Sequence, residues 1–478
     1  MSKVSSVYKE GAQIMKACTS WSYHPYTPPL FDSGDIYICR VAPSEHAIHF
    51  EYLPLEGTCT YAVFCRERGT ETYKLCGTTS GSEFDITGLD TEKDYEFYVE
   101  SSDGDKSRVR LARTGFVEGT VINYLHPDDG AYAFSGRFLC SPSWVRLPDG
   151  KLLASMDVYG VPQNLTLIFG SDDDGRTWHY VSELMPSFWG KLFVHQGDVY
   201  MLSCSTEYGD LLIGKSTDGG KTFGMPTVLL RGSHLQGISG VHKNPQNVMV
   251  YKGRIYETFE WGTWRKSPLP FAAAVMSADV NDDLLDANSW HFSEPVVYDP
   301  SWPGTVEGNG CNNIEGTLVV SPDGTLYNVM RYGIGNCTPS WGKVIAYKVN
   351  TDDPDAPLTY SHTIDFPANE SKFMMKYDAV SHKYWSVATR IDCAEHAACR
   401  NLLSLMVSDD LEHWRVAKDI FDYRDSDPNK VGFQYVDFSF EGEDILFQCR
   451  TAMNGADSFH NTNYSTFNRI THFRSYDR

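Results

Sequence analysis

The sequence of 478 residues predicts an all-β protein, a six-bladed β-propeller preceded by a small β-sandwich. Two observations indicate this fold class. Apolar and polar residues alternate through about residues 34–114, and a four-strand pattern then recurs six times after Gly115. The only candidate amphipathic helix is a short one near residues 4–17.

The N-terminal part is predicted to be an extension over residues 1–33, followed by a β-sandwich over residues 34–115. Its alternating segments include "IHFEYL", "TYAVFCRE" and "DYEFYVESSDG". The stretch "ITGLDTEKDYEFYVES" resembles the late strands of a fibronectin type III domain, in which a leucine turn precedes a packed tyrosine. That resemblance assigns these two roles to Leu89 and Tyr95.

Residues 116–478 contain the repeat. Each unit opens with a hairpin such as "SWVRLPDGKLLASMD" or "TLVVSPDGTLYNVMR", and five units add a second hairpin such as "LTLIFGSDDDGRTWHYV". The sixth unit ends on a single strand, "STFNRITHF", so the segment "GTVINYL" at 119–125 is expected to complete it. Radial repetition of this kind leaves only short, protected sheet edges, which favours a propeller.

Composition limits the function classes. The net charge of −21 argues against binding to nucleic acid or to an anionic membrane surface. The 12 cysteines are scattered without metal-ligand spacing, so we expect neither a metal nor a cofactor. The first residues lack the apolar core of a secretion signal, which predicts a cytoplasmic location. The sequence does not determine the oligomeric state.

One hairpin, residues 312–333, places charged residues at its open end. Its turn, Ser321 to Thr325, suits a type I turn with a one-residue bulge. Counting outward in equal steps predicts that Thr317 faces Val329 and Glu315 faces Arg331. The pair has two interpretations, a surface salt bridge or part of a functional site.

The segments "SDDDGRTW" at 171–178 and "STDGGKTF" at 216–223 match the Asp-box, and "SDDLEHW" at 408–414 is a degraded copy. We expect Asp173 and Asp218 to cap turn amides, and Trp178 and Phe223 to pack between blades. On these motifs the propeller part resembles the sialidase superfamily.

The resemblance implies a set of site residues. Glu315 and Arg331 match in blade and hairpin position, Arg400 matches a second arginine, and Tyr435 matches the nucleophile. Two departures stand out. The first-blade arginine is replaced within Cys140-Ser141-Pro142, and the shortened loop "YGVPQN" lacks the acid/base carboxylate.

Other residues are candidates to fill these gaps. At least one of Arg450 and Arg390, which leave inner hairpins, is expected to replace the missing arginine. Asp157, predicted to pair with Ser141 at the pore end of blade one, and His242 are candidate acids, and Glu257 and Glu260 are further candidates for that role. The candidate substrate-binding residues also include Glu260, Trp261, His460 and Asn463. Trp189, Trp261 and Trp264 have two interpretations, stacking on sugar faces or packing between blades.

The expected function is therefore an exo-acting glycoside hydrolase that removes a terminal anionic sugar, sialic acid or a relative, from an oligosaccharide through a Tyr435–Glu315 pair. A uronate-cleaving lyase that uses Tyr435, His242 and Arg331 is one alternative. A sugar-binding propeller without catalysis is the other, favoured by the missing arginine and acid.

Overall fold

The computed structural model describes residues 36–57, 60–232, 240–262, 271–305, 312–333, 342–390 and 399–477. These residues form strands, turns and two short 3-10 helices at Ala287–Ser289 and Phe473–Tyr476, and the protein is all-β as predicted. The candidate helix near residues 4–17, the extension 1–33 and Trp264 lie outside the described residues.

A β-sandwich comes first. One sheet has the order β1-β2-β5 and the other β4-β3-β6-β7. The strands are β1 (Tyr37–Pro43), β2 (Ala47–Leu53), β3 (Tyr61–Glu67), β4 (Lys74–Thr79), β5 (Glu83–Thr87), β6 (Asp94–Ser101) and β7 (Arg110–Arg113). Alternate residues of β2, β3 and β6 are buried, because the inner faces of both sheets share one apolar core. The hydroxyl of Tyr95 accepts a hydrogen bond from the backbone N–H of Asp90 at 2.9 Å and so ties the turn before β6 to the strand.

Six further sheets follow, and they are the blades of the propeller. The first two blades contain β9 (Phe138–Arg146), β10 (Leu152–Tyr159), β11 (Thr166–Ser171) and β12 (His179–Leu184), then β13 (Phe188–His195), β14 (Asp198–Cys204), β15 (Leu211–Ser216) and β16 (Thr227–Leu230). Blade three has a divided inner strand and a divided outer strand, with β17 (Gly240–His242), β18 (Met249–Tyr251), β19 (Arg254–Gly262), β20 (Ala272–Asp279), β21 (Trp290–Phe292) and β22 (Val296–Val297). Blades four and five contain β23 (Asn312–Val320), β24 (Leu326–Gly333), β25 (Lys343–Lys348) and β26 (Thr359–Asp365), then β27 (Met375–Asp378), β28 (Lys383–Thr389), β29 (Leu402–Ser408) and β30 (Trp414–Asp422).

Blade six combines the two ends of the propeller part. Strands β31 (Gly432–Glu441), β32 (Asp444–Ala452) and β33 (Tyr464–Ile470) are completed by β8 (Thr120–Tyr124), which pairs antiparallel with β33. The predicted closure by the segment 119–125 is thereby confirmed. This exchange joins the first and last blades without an open sheet edge between them.

Four inner strands share one irregularity near their start. In β9, β13, β23 and β31, two residues lie opposite a single residue of the next strand, and the first of the two has a positive φ. The four residues are Ser141 (φ 52°), Trp189 (φ 54°), Glu315 (φ 60°) and Tyr435 (φ 58°). Such bulges turn a side chain out of the regular pleat and are common beside functional sites.

The bulge corrects two predicted registers. The turn Ser321–Thr325 and the pairing of Thr317 with Val329 are confirmed, but Arg331 lies opposite Ile314 rather than Glu315. In blade one Asp157 lies opposite Cys140 rather than Ser141. Equal-step counting failed in both hairpins because the extra residue shifts the register by one.

Side chains two positions after the bulge connect neighbouring blades. Ser143 accepts a hydrogen bond from the backbone N–H of Leu192 at 2.9 Å, and Asp437 accepts one from the backbone N–H of Trp144 at 2.9 Å. Asp437 also forms a buried ion pair with Lys191 at 2.6 Å, which links blade six to blade two. These contacts connect the inner strands of blades one, two and six to one another.

The Asp-boxes adopt the expected structural role. Asp173 accepts hydrogen bonds from the backbone N–H groups of Arg176 and Thr177 at 3.0 and 2.9 Å, and Asp218 binds the N–H of Thr222 at 2.9 Å. Asp410 in the degraded copy binds two turn N–H groups as well. These motifs stabilise turns at the edge of the blades.

Candidate functional site

The site is centred on Tyr435, Glu315 and Arg331, which come from blades six and four. The hydroxyl of Tyr435 donates a short hydrogen bond to Oε1 of Glu315. Nη1 of Arg331 donates to the other oxygen, Oε2, at 2.7 Å. Glu315 is only 2 % exposed, so its two oxygens are held by these two groups rather than by bulk solvent. The bulges in β23 and β31 bring the carboxylate and the phenol together.

The charges of the three groups depend on one another. Burial alone would raise the pKa of Glu315, but the Arg331 charge and the hydrogen bonds from Tyr435 and Arg331 outweigh it and hold that pKa below its usual value. Burial raises the pKa of Tyr435, and the Glu315 charge adds to the effect. The resting pair is therefore a neutral phenol on an ionised carboxylate, the arrangement of a base that is ready to take a proton.

Two more arginines flank the phenol ring. The guanidinium carbon of Arg450 lies 5.1 Å from the centre of the Tyr435 ring, and that of Arg400 lies 5.8 Å from it. Arg400 donates to the side chain of Gln434 and Arg450 to Oγ1 of Thr462 at 3.0 Å. Both guanidinium groups thus donate to neutral oxygens of Gln434, Thr462 and His460.

The arginines are poised for an additional acceptor. Within the described part of the chain, Nε of Arg331 and Nε of Arg400 are buried and have no hydrogen-bond partner. Burial, together with the charges of Arg331 and Arg450, lowers the pKa of Arg400 to about 10. A bound anion would satisfy these donors and relieve the repulsion.

Glu260 holds the bulge that carries Glu315. Its Oε1 accepts hydrogen bonds from the backbone N–H groups of Glu315 at 2.8 Å and of Gly316 at 3.4 Å, and its Oε2 lies 2.6 Å from Nδ1 of His242. Burial raises the pKa of Glu260, and the His242 contacts oppose the rise. The predicted substrate contact of Glu260 is thus replaced by contacts to backbone and His242, since both oxygens are already engaged.

Asp157 has the same relation to the bulge at Trp189. Its Oδ2 accepts from the backbone N–H of Gly190 at 3.3 Å, and Oγ1 of Thr166 donates to Oδ1 at 2.5 Å. Burial raises the pKa of Asp157 to about 7, but its exposure is 0 %. His242 is 2 % exposed and packs beside the rings of Trp189 and Phe271. Neither candidate acid opens to the solvent.

Three predicted site residues lie elsewhere. Arg390 binds the carboxylate of Asp419 at 2.8 Å on the outer strand of blade five, and so it does not share in the arginine cluster around Tyr435. Trp261 follows Glu260 in β19 and faces the opposite side of the strand, where it is 3 % exposed in the core between blades two and three. Asn463 binds the backbone of Met453 through both ends of its amide.

His460 lies beside Arg450. Its carbonyl accepts a hydrogen bond from Arg450, and its ring lies 5.6 Å from that of Tyr159. Burial, together with the charges of Arg450 and Arg400, lowers the pKa of His460 to about 3, so the imidazole is neutral. Its loop returns over blade six toward blade one.

Sequence reasoning missed two contributors. Tyr159 at the end of β10 lies 5.8 Å beneath the guanidinium carbon of Arg450. Lys372 lies on the axis, where Nζ donates to the carbonyl of Val436 at 3.3 Å and burial lowers its pKa to about 7. Tyr159 could have been found from the sequence, because it directly precedes the shortened loop "GVPQN". No sequence pattern distinguishes Lys372 from a surface lysine.

In the described ranges we find no cluster of three or more His, Cys, Asp or Glu side chains that could hold a metal ion. Among the same residues, no helix is long and apolar enough to cross a membrane.

Comparisons with known proteins give structural neighbours only. No protein-family model matches the sequence, and no curated protein matches it significantly. An α-L-arabinanase of Penicillium chrysogenum solved with arabinobiose has a TM-score of 0.47 and 14% identity, over 74% of this chain and 98% of that one. An α-L-arabinofuranosidase of Fusarium graminearum solved with an iminosugar inhibitor has a TM-score of 0.47 and 16% identity, over 74% and 98% of the two chains. The polysaccharide lyase Uly1 has a TM-score of 0.37 and 7% identity, over 94% of this chain and 92% of its own. At these values the likeness does not extend to substrate or mechanism.

Proposed function

We propose that the protein is an exo-acting glycoside hydrolase that removes a terminal anionic sugar from an oligosaccharide, with the sialidase-like chemistry that its motifs resemble. The observation that carries the proposal is the hydrogen bond from the hydroxyl of Tyr435 to Glu315, whose second oxygen is fixed by Arg331 at 2.7 Å. A phenol on a buried, ionised carboxylate is an activated nucleophile.

The reaction follows from this geometry. Glu315 takes the proton of Tyr435 while the phenolic oxygen attacks the anomeric carbon; the glycosidic bond breaks, and the leaving oxygen takes a proton from solvent water. A second water then attacks the anomeric carbon of the glycosyl-tyrosine and releases its proton to solvent, while the phenolic oxygen leaves and recovers its proton from Glu315. A phenol suits a substrate that carries a carboxylate beside the anomeric carbon, because an anionic nucleophile would be repelled there.

The arginines determine the sign of the substrate charge. Arg331 pairs with Glu315, and Arg400 and Arg450 lie beside the Tyr435 ring, so three guanidinium groups meet at one place in a chain whose net charge is −21. Bidentate donors of this type bind a carboxylate and fix its orientation. The arginine that is absent from blade one is thus replaced by Arg450 of blade six.

The experiment is a screen for released reducing sugar with sialyl, glucuronyl and rhamnosyl disaccharides. Tyr435→Phe should abolish turnover, and Glu315→Gln should reduce kcat about 10²–10⁴-fold, the scale of one acid/base group. Tyr256→Phe is the matched control, because Tyr256 is buried in blade three and belongs to a different apolar cluster. Near-normal turnover by Tyr435→Phe would refute the tyrosine mechanism, and release of an unsaturated uronate would identify a lyase.

We propose two further assignments, one for the N-terminal sandwich and one for the location of the protein. The sandwich is fibronectin type III-like, supported by its β1-β2-β5 and β4-β3-β6-β7 sheets and by the Tyr95–Asp90 hydrogen bond. The protein acts in the cytoplasm, where it would meet small imported oligosaccharides; cell fractionation would test this location.

A further inference from the structure

We infer that Trp189 is the stacking platform for a neutral sugar unit, on the side of the site where Glu260 and His242 lie. The inference rests on the proposed function, since it assigns the part of the substrate that follows the terminal anionic sugar. Trp189 is the bulged residue of blade two, and so it has in its blade the position that Glu315 and Tyr435 have in theirs.

The backbone of Trp189 has an unusual conformation that other residues hold in place. A bulky residue with φ of 54° is an outlier that the surrounding structure must enforce. Asp157 enforces it through the backbone N–H of Gly190 at 3.3 Å, as Glu260 enforces the bulge at Glu315 through backbone N–H groups.

A continuous set of contacts joins Trp189 to the reacting groups. The Trp189 ring lies 4.5 Å from the ring of His242, and Nδ1 of His242 lies 2.6 Å from Glu260. Glu260 binds the backbone N–H of Glu315 at 2.8 Å. Two side chains, those of His242 and Glu260, therefore connect the indole to the backbone of the residue that holds Tyr435.

The surroundings of Trp189 are aromatic. Its ring contacts are with Phe188 at 4.9 Å, Tyr208 at 6.1 Å and His242 at 4.5 Å, and all three are tilted or edge-on, with interplanar angles of 41°, 72° and 64°. Parallel stacking, the geometry that the flat apolar face of a sugar requires, is not taken by any of these three rings. Trp189 is half-buried, which leaves part of the indole accessible.

Charge differs between the surroundings of Trp189 and the arginine cluster. The cluster suits an anion, whereas the ring contacts of Trp189 are with aromatic side chains. Nζ of Lys243 donates to the Trp189 carbonyl at 3.3 Å, but the charge of this lysine is paired with Glu257 at 2.7 Å. The geometry thus fits an asymmetric substrate, with an anionic terminal unit over Tyr435 and a neutral sugar on the Trp189 side.

The test separates this subsite from the catalytic proposal. Binding of two neutral probes, lactose and methyl β-galactoside, and of one anionic probe, glucuronic acid, is measured by saturation-transfer NMR on the full chain carrying Tyr435→Phe. Trp189→Ala in that background should weaken the neutral probes about tenfold or more, and Trp189→Phe should weaken them less, with glucuronic acid unaffected. Trp414→Phe is the control, because Trp414 belongs to the degraded Asp-box and packs against Phe366 in blade five.

Several results would overturn the inference. The first is that both Trp189 variants bind the neutral sugars with unchanged affinity. The second is that the Tyr435→Phe protein with intact Trp189 binds no neutral sugar. The third is that the folded Trp189→Phe variant loses as much affinity for glucuronic acid as for the neutral sugars. Turnover by the protein with unmodified Tyr435 is a separate readout. If no disaccharide is cleaved while Trp189 still governs neutral-sugar binding, the catalytic proposal fails and the subsite stands.

Discussion

A buried carboxylate joins the sandwich to the propeller and makes stability depend on pH. Glu183 in β12 of blade one is 2 % exposed and accepts a hydrogen bond from the hydroxyl of Tyr37 in β1 at 2.8 Å. The hydroxyl of Tyr132 lies 2.9 Å from that of Tyr37. Burial raises the pKa of Glu183 to about 7, although the hydrogen bonds from Tyr37 and Tyr180 lower it. We predict that Glu183→Gln stabilises the protein in weakly alkaline solution.

The sign and size follow from proton linkage. The ordinary pKa of the carboxyl is 4.5, so between that value and about 7 the folded protein holds a proton that the unfolded chain has released. The stability associated with this proton is fully present below the unfolded pKa and is lost as pH rises through the folded pKa. For one group with these two pKa values, the loss between about pH 5 and about pH 8 is roughly 2.5 kcal/mol.

Glutamine is the neutral isostere of the protonated carboxyl, so Glu183→Gln should remove this loss. The measurement is the free energy of unfolding by urea at both pH values, compared between the variant and the unmodified protein. Glu67→Gln in the sandwich is the control, because Glu67 is partly exposed and pairs with Lys93 at 2.8 Å. The reasoning is refuted if the pH dependence of the Glu183→Gln variant equals that of the unmodified protein.

Three further outcomes are expected from the site and the Asp-box. Arg450→Ala should weaken glucuronic acid binding about 10- to 100-fold, as expected for a lost charge-assisted contact, whereas Arg390→Ala should not; equal effects in titration calorimetry would exclude a special role for Arg450. Glu260→Gln should lower kcat and shift the acidic limb of the rate–pH profile to lower pH. The reason is that the Glu260 charge repels the Glu315 charge, so its loss lowers the pKa of Glu315. An unshifted acidic limb would count against this interaction between the two carboxylates. Asp173→Ala should cost about 1–2 kcal/mol of stability in urea unfolding without changing kcat, and a large loss of turnover would contradict its structural role.

Local chemistry made much of the fold predictable. The turn Ser321–Thr325 has its proline, aspartate and glycine where a type I turn with a bulge needs them, and Ser321 and Thr325 pair as expected. Hairpins of this style repeat along the chain, and their apolar alternation follows the strand period. The Asp-boxes were predictable for the same reason, since each is a short motif whose bonds lie within a few residues.

The details of the site were less accessible. Glu260 and Trp261 are consecutive residues of β19, so strand alternation places their side chains on opposite faces. The sequence alone could therefore have shown that they do not line the same side of the strand. The bulges were not, because Glu315 and Tyr435 adopt positive φ without being glycine, and only contacts from other blades enforce it. The engagement of Arg390 by Asp419 depends likewise on a partner distant in sequence.

The four bulges suggest why the pocket can combine unlike groups. Each of the four bulged inner strands presents one side chain in this way, and in two of them a carboxylate from another strand holds the backbone, Asp157 for blade two and Glu260 for blade four. Identity at a bulge can therefore differ from blade to blade without altering the blade packing, which depends on other positions such as Ser143 and Asp437. Under the proposed function, an anion-binding group need not come from a bulge at all, because Arg450 reaches the Tyr435 ring from the adjacent strand β32. Arg450 of blade six would then supply the positive charge that no bulge residue provides.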